Sequence, residues 1–249
     1  MSADITLRKG LTIPMSGIAD LNISSADSAD NYVVYPSDFH GVVPKMLLKE
    51  GETVLQGQPI FYSKANPEIK FVSPVSGTLT KIERGAKRRI MALSITSDGE
   101  HKAVVHKLAN LDELCAADVR KHLLESGCWS FIKQRPYDVI ADPSSTPKAI
   151  FVSGFNTAPL AADVPFLLSP QKEDFQNGIN ALAKLAPKVH LSVDASSASF
   201  LTEVSNAELH RIKGQHPAGN VGVQVHHIDP VNAGETVWVV GPVDVARIG

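Results

Sequence analysis

The sequence predicts two architectures in one chain, an all-β unit followed by an α/β unit, and three observations carry that prediction. Turn chemistry is densest between residues 33 and 97, where short β-type runs alternate with glycine and proline breakers. After residue 102 the texture changes to strands alternating with helices, the pattern of a mainly parallel sheet with helices on its faces. The 249 residues are 43% hydrophobic and 20% charged, which suits a packed core and argues against disorder. The expected division is an arm over 1–32, a β-unit over 33–100 and an α/β unit over 101–249.

Taken in order, the arm opens on a short strand candidate, Ile5–Leu7, and continues as a polar Ser-, Asp- and Ala-rich loop from Gly17 to Asn31. In the β-unit, strands are expected at Tyr32–Tyr35, Pro59–Tyr62, Ile69–Val72, Gly77–Ile82 and Met91–Thr96. Gly51, Gly57 and Gly77 punctuate them, because glycine supplies the positive φ that tight turns need. The segment Gly41–Gly51 echoes Gly77–Gly85: a glycine, an apolar strand with one lysine, then a turn glycine, as a repeated hairpin layout would give. In the α/β unit, Asn110 is expected to cap a helix over Leu111–Glu125, with Glu113 returning the capping bond and Gly127 ending it. Ser169-Pro170 opens a second helix with a stripe of Phe175, Ile179, Leu182 and Ala186, ended by Pro187. Strands are expected at Ala149–Val152, Val189–Val193, Glu208–Ile212 and Thr236–Val240. Parallel sheets bind ligands at the carboxyl ends of their strands, here Ser153–Asn156, Asp194–Ser196 and Gly214–His216.

Composition excludes several functions. A formal net charge of −2 offers no global field for nucleic acid or anionic lipid, and Arg84, Lys87, Arg88 and Arg89 read as a solvated hairpin rim. Cys115 and Cys128 form no C-x-x-C pair, so no thiol redox motif or cysteine-held cluster is suggested. The N-terminus lacks the apolar run of a signal peptide, and no stretch approaches the ~18–20 apolar residues of a membrane span. Any membrane association is therefore expected through a partner. No G-x-G-x-x-G follows a strand and no G-x-S-x-G elbow occurs. His226 and His227 are adjacent and diverge, so with His216 they make a poor metal set, and no metal ligand set is assigned. The loop His216-Pro217-Ala218-Gly219-Asn220-Val221-Gly222 leads into an apolar segment, either a structural turn or a seat for an anion or quinone headgroup at a helix start. The candidate residues are accordingly His216, Pro217, Gly219, Gly222, His226 and His227, as a partner-docking or quinone-proximal loop; no catalytic, cofactor-binding or metal residue is assigned.

The phrases VVPKMLLKEGETVLQGQPIF and SPVSGTLTKI resemble the biotinyl/lipoyl-carrier, or barrel-sandwich hybrid, fold. Lys64 stands where carriers bear the modified lysine, but without their M-K-M or D-K-A flanks and with Pro67 inserted beside it. The phrases ITLRKGLTIPMSG, VSGFNTAPLAAD, GQHPAGNVGVQVHHIDPVNAGETVWVV and VDVARIG resemble the A-subunit family of sodium-translocating NADH:quinone reductases, along nearly the whole chain. That resemblance implies a Rossmann-like α/β domain beside the carrier-like one, and further C-terminal modules that this sequence lacks, as in a truncated form.

The family is similar to the C subunit of the Rnf electron-transport complex and to the flavin subunit of complex I. In those relatives a glycine-rich loop and an acidic segment hold flavin and NADH. The corresponding stretches here, Ser126–Arg135 and Ser153–Pro159, carry bulky Trp129, Phe131 and Lys133 and the uncharged Asn156, Thr157 and Ala158. The implication is a scaffold that has lost its nucleotide site. The resemblance also implies a peripheral, non-catalytic role on the cytoplasmic face of the bacterial inner membrane, partnered by membrane subunits and near quinone. No cofactor is expected in this chain, while the complex uses flavins and an iron–sulfur centre. The alternatives are a carrier modified at Lys64 and a free-standing NADH- or flavin-binding oxidoreductase.

Overall fold

The structure, a computed structural model, describes residues 3–107 and 110–249. Its chain divides into two units: one of residues 25–130 and 139–141, the other of residues 1–24, 131–138 and 142–249.

The first unit is built from short strands at the turn-rich positions: β2 (Asn31–Val34), β3 (Pro44–Met46), β4 (Thr53–Val54), β5 (Pro59–Ser63), β6 (Lys70–Val72), β7 (Gly77–Arg84) and β8 (Ile90–Ser97); β1 belongs to the other unit. Among the described residues they form two sheets, ordered β2-β8-β7-β4 and β3-β5-β6. The echoed segments thus enter different sheets, β3 in one and β7 in the other. They are joined where Gly51 N–H donates to Leu79 O (2.8 Å) and Leu79 N–H to Glu52 O (3.0 Å). Ile60, Phe61, Leu79, Leu93 and Ile95 are fully buried. Phe71 stacks on Phe61 at 4.5 Å and meets Phe39 at 4.4 Å. Gly77 is required by space: its φ is +152° and a Cβ there would lie 2.0 Å from the Thr96 carbonyl oxygen. The S-P-x-x-G turn is fixed further by Ser73 Oγ donating to Val75 O at 2.6 Å.

The helix expected over Leu111–Glu125 begins later. Leu111–Glu113 is a single 3-10 turn, Leu114 is extended, and α1 spans Ala116–Glu125. Asn110 caps only the 3-10 turn, accepting from Asp112 N–H. The bond expected from Glu113 is instead made by Asp118 at the later start, where its carboxylate accepts from Cys115 N–H at 3.0 Å. A local Asx-type turn has outcompeted one continuous helix.

The second unit holds β1 (Ala3–Thr6), β9 (Lys133–Arg135), β11 (Ile150–Ser153), β12 (Val189–Asp194), β13 (Glu208–Lys213) and β14 (Val237–Val239), while β10 (Val139–Ile140) groups with the first unit. The order within the second unit runs β1-β13-β12-β11-β14-β9, parallel except for β9 against β14. Near-continuous burial of β11, β12 and β14 is what a sheet covered on both faces demands. Helices α2 (Val164–Leu168), α3 (Lys172–Ala183), α4 (Val221–Ile228) and α5 (Pro242–Ile248) complete it. Ser169-Pro170 makes a 3-10 turn between α2 and α3 rather than opening the helix. Phe175, Ile179 and Leu182 are fully buried as expected, but Leu185 closes the stripe in place of the half-buried Ala186, because the helix ends at Ala183. The arm stays irregular after β1; Ile5 and Leu7 pack on Phe155, Ile212 and Ala218.

Candidate functional site

The strand order reverses beside β11. From β11 the chain steps outward to β12 and β13, then returns on the other side of β11 as β14. Such a switch point opens a crevice at the carboxyl ends of the two strands that flank it. Here the crevice is a cleft of about 560 Å³ whose walls include Ser153, Phe155, Asn156, Gly219, Gly222 and Val240, with Arg135 its charged side chain.

The loop after β13 reaches into this region and is tied down. Gly219 N–H donates to Thr157 Oγ1 (2.9 Å), which also meets His216 Nδ1 at 3.2 Å. The buried Gln224 donates to Ser153 Oγ (2.8 Å) and to Ala218 O (3.1 Å), and Ser153 Oγ lies 3.1 Å from Gly219 O. Gly219 permits this approach: a Cβ there would fall 2.5 Å from Thr157 N and 2.9 Å from Asn156 Cα. Gly222 is different, for a Cβ there would meet nothing within 4 Å.

The six residues singled out in the sequence therefore separate into groups. Gly219 and Gly222 line the cleft. His216 and Pro217 stand in the loop behind it, joined by a cis peptide bond. His226 and His227 are exposed on α4, edge to face at 5.0 Å, with His227 Nδ1 held by Val223 O at 2.9 Å.

Of the stretches compared with nucleotide-binding relatives, Ser153–Pro159 gives Ser153, Phe155 and Asn156 to the cleft, and Ser126–Arg135 gives it Arg135. Trp129 is fully buried in the first unit, its Nε1–H donating to Ala141 O at 2.8 Å. Asn156 is in the second unit, its side chain accepting from Ala158 N–H. Phe131 lies beneath the Arg247 guanidinium at 5.7 Å. Lys133 is half-buried on β9, and burial lowers its pKa. After β11 no helix starts at once; α2 begins at Val164, and its first turn is capped by Asp163, whose carboxylate accepts from Phe166 N–H at 2.7 Å. Asp194, at the end of β12, accepts from Ser196 N–H at 2.8 Å. Lys64 is exposed at the start of the connection between β5 and β6, where Asn66 makes its own turn by accepting from Glu68 N–H.

One group of polar side chains escaped the sequence reading. His190 and His210 are buried at 3% and 2% exposure, with His190 Nδ1 2.9 Å from His210 Nε2 and 3.7 Å from Glu208 Oε2. Burial, and then the neighbouring His210, lowers the His190 pKa to about 4; burial lowers that of His210. The legible signal was Glu208-Leu209-His210, two ligand-type residues at i and i+2 of a strand and so on one face.

Comparison with known proteins agrees with this architecture. Residues 5–98 match the family model of the NqrA N-terminal barrel-sandwich hybrid domain, and residues 114–249 match that of the NqrA second alpha/beta domain. The A subunit of the Na(+)-translocating NADH-quinone reductase of Actinobacillus succinogenes is 36% identical over 247 residues, covering 98% of this chain and 55% of the relative. That of Haemophilus influenzae is 35% identical over 249 residues (98% and 56%), and that of Shewanella amazonensis 37% over 248 (98% and 55%). The chain thus spans about half the length of the curated relatives it matches. With both domain models matched in order along it, the chain belongs to the NqrA family.

Proposed function

We propose that the chain serves as a peripheral, non-catalytic part of a sodium-translocating NADH:quinone reductase, binding the other subunits rather than a nucleotide of its own. The observation that carries this reading is the identity of 35–37% along 98% of the chain to proteins named as the A subunit of that complex. No helix among the described residues is long and apolar enough to cross a membrane. On the same likeness to subunits of that complex, the reading puts the chain against membrane subunits, on the cytoplasmic face, by contacts with them.

The loss of the nucleotide site has its own physical support. A dinucleotide's pyrophosphate needs bare backbone and a helix N-terminus directly after the first strand. Here β11 ends at Ser153 and α2 starts only at Val164, and the Asp163 carboxylate already accepts from its first turn. A second anion at that terminus would meet a like charge. Side-chain oxygens following β11 and at the end of β12 are engaged as well, Thr157 with Gly219 and Asp194 with Ser196. Quinone is the ligand this reading brings near the cleft beside Gly219 and Gly222, whose walls are largely apolar. Flavins and the iron–sulfur centre belong to partner subunits.

Co-purification tests the proposal. Tagged chain expressed with the remaining subunits should be retained with the membrane complex, and cross-linkers placed at 214–232 should reach one of those partners. Chain that stays unassociated and carries stoichiometric flavin would overturn the reading in favour of a free-standing oxidoreductase. Intact mass disposes of the carrier alternative: no biotinyl or lipoyl addition is expected at Lys64.

A further inference from the structure

We infer that His190, Glu208 and His210 form a binding site for one zinc-type divalent transition-metal ion. The sheet register assembles it. His190 of β12 pairs with Glu208 at the start of β13, and Ser192 pairs with His210. Side chains two apart on a strand point to one face, and paired residues on neighbouring strands stand side by side there. The three side chains therefore converge, with one ligand atom from each lying within 4.8 Å of the others.

The donor set fits the metal. Two imidazoles and one carboxylate suit zinc and its neighbours rather than calcium or magnesium, which take oxygen ligands. Two nitrogens bound to a tetrahedral zinc at 2.0–2.1 Å lie roughly 3.3 Å apart; His190 Nδ1 and His210 Nε2 are 2.9 Å apart. A shift of a few tenths of an ångström seats the ion between them. Burial disfavours the charged form of both rings, and the neutral imidazole is the form that ligates a metal.

The outer nitrogens, His190 Nε2 and His210 Nδ1, are buried without a hydrogen-bond partner. The 2.9 Å contact between the inner nitrogens is a hydrogen bond that one ring donates, so an ion entering there sends that proton to the same ring's outer nitrogen. Two lone pairs then face each other across the gap, an arrangement that a cation between them stabilises. The missing outer partners, which usually strengthen metal-bound histidines, point to moderate affinity. The Phe151 ring, 4.7 Å from that of His190, forms an apolar wall. The Glu208 side chain, 33% exposed, marks the path from solvent and the side on which water would complete the coordination. Asp229 acts on His190 electrostatically in the direction that favours a cation, and Lys188 in the opposite one. The site is distinct from the exposed His226–His227 pair.

The test uses the full 249-residue chain, stripped with EDTA and titrated with cobalt chloride and then zinc chloride. One equivalent of cobalt should bind with visible ligand-field bands, zinc should displace it, and zinc should raise the melting temperature reversibly to EDTA. His210→Gln and Glu208→Gln should each weaken binding by at least about tenfold, since changes even to outer partners of metal ligands have that effect. Should His210→Gln fail to fold, Glu208→Gln at the exposed rim carries the comparison. The double variant His226→Ala/His227→Ala should bind as the parent does. No stoichiometric cobalt binding, binding that survives both ligand variants, or binding lost with His226 and His227 would each overturn the assignment.

Discussion

The two ends of the α/β sheet are built differently. At the carboxyl end, where folds of this kind hold ligands, polar groups are engaged with one another: Thr157 with Gly219, Ser153 with Gln224, and Asp163 with the first turn of α2. Toward the amino end, His190 and His210 converge with nothing on their outer nitrogens. A shared fold therefore fixes where a crevice forms, while the side chains around it decide whether a ligand can enter. In this chain the carboxyl end keeps a cleft whose neighbouring polar groups bond to one another, and the amino end holds two buried histidines whose outer nitrogens have no partner.

The largest expected effect concerns the histidine pair with metal withheld. The His190 pKa is lowered to about 4 in the folded state, against about 6.5 in the unfolded chain. The folded state thus favours the neutral ring. Its contribution is fully present above about pH 6.5 and is lost as pH falls toward 4, for a total of up to about 3 kcal/mol. Urea midpoints measured in EDTA between pH 7.5 and 4 should fall accordingly, and His190→Phe should flatten that slope. An unchanged slope in the variant would show that the pair is not what titrates.

At the opposite end, Gly219→Ala forces a Cβ against the Thr157 and Asn156 backbone, which cannot give as a flexible side chain can. A loss of about 2 kcal/mol is expected, within the usual cost of overpacking, read as a lowered melting temperature. Gly222→Ala, with open space at its Cβ, should cost far less. Equal losses at the two glycines would break the distinction between a tied loop and an open cleft wall. The smallest effect is Asp163→Ala, about 1 kcal/mol for a lost helix cap. Phosphate added to that variant should restore part of the stability if the helix terminus is an anion seat filled by Asp163, and should do nothing to the parent.

Much of the fold was legible because periodicity and turn residues are local properties. Apolar runs such as Ile150–Val152 and Val189–Val193 could only be buried strands once bounded by breakers. The late start of α1 was hidden, because Asn110 can cap a 3-10 turn as readily as a helix. Strand β9, Lys133-Gln134-Arg135, offers no apolar alternation and forms because β14 presents a free edge. The tie between Thr157 and Gly219 joins residues 62 apart, and the histidine pair depends on the register of β12 against β13. Neither can be read from spacing along one strand, although the i, i+2 spacing of Glu208 and His210 marked half of the second.

Under the proposed function, the carboxyl-end crevice accepts no dinucleotide. Calorimetric titration of the chain with NADH, and separately with FMN, addresses this most directly. No saturable heat is expected up to millimolar ligand, in the parent and in Gly222→Ala alike. Stoichiometric binding at micromolar concentration, abolished by substitutions at Ser153 or Asn156, would contradict it.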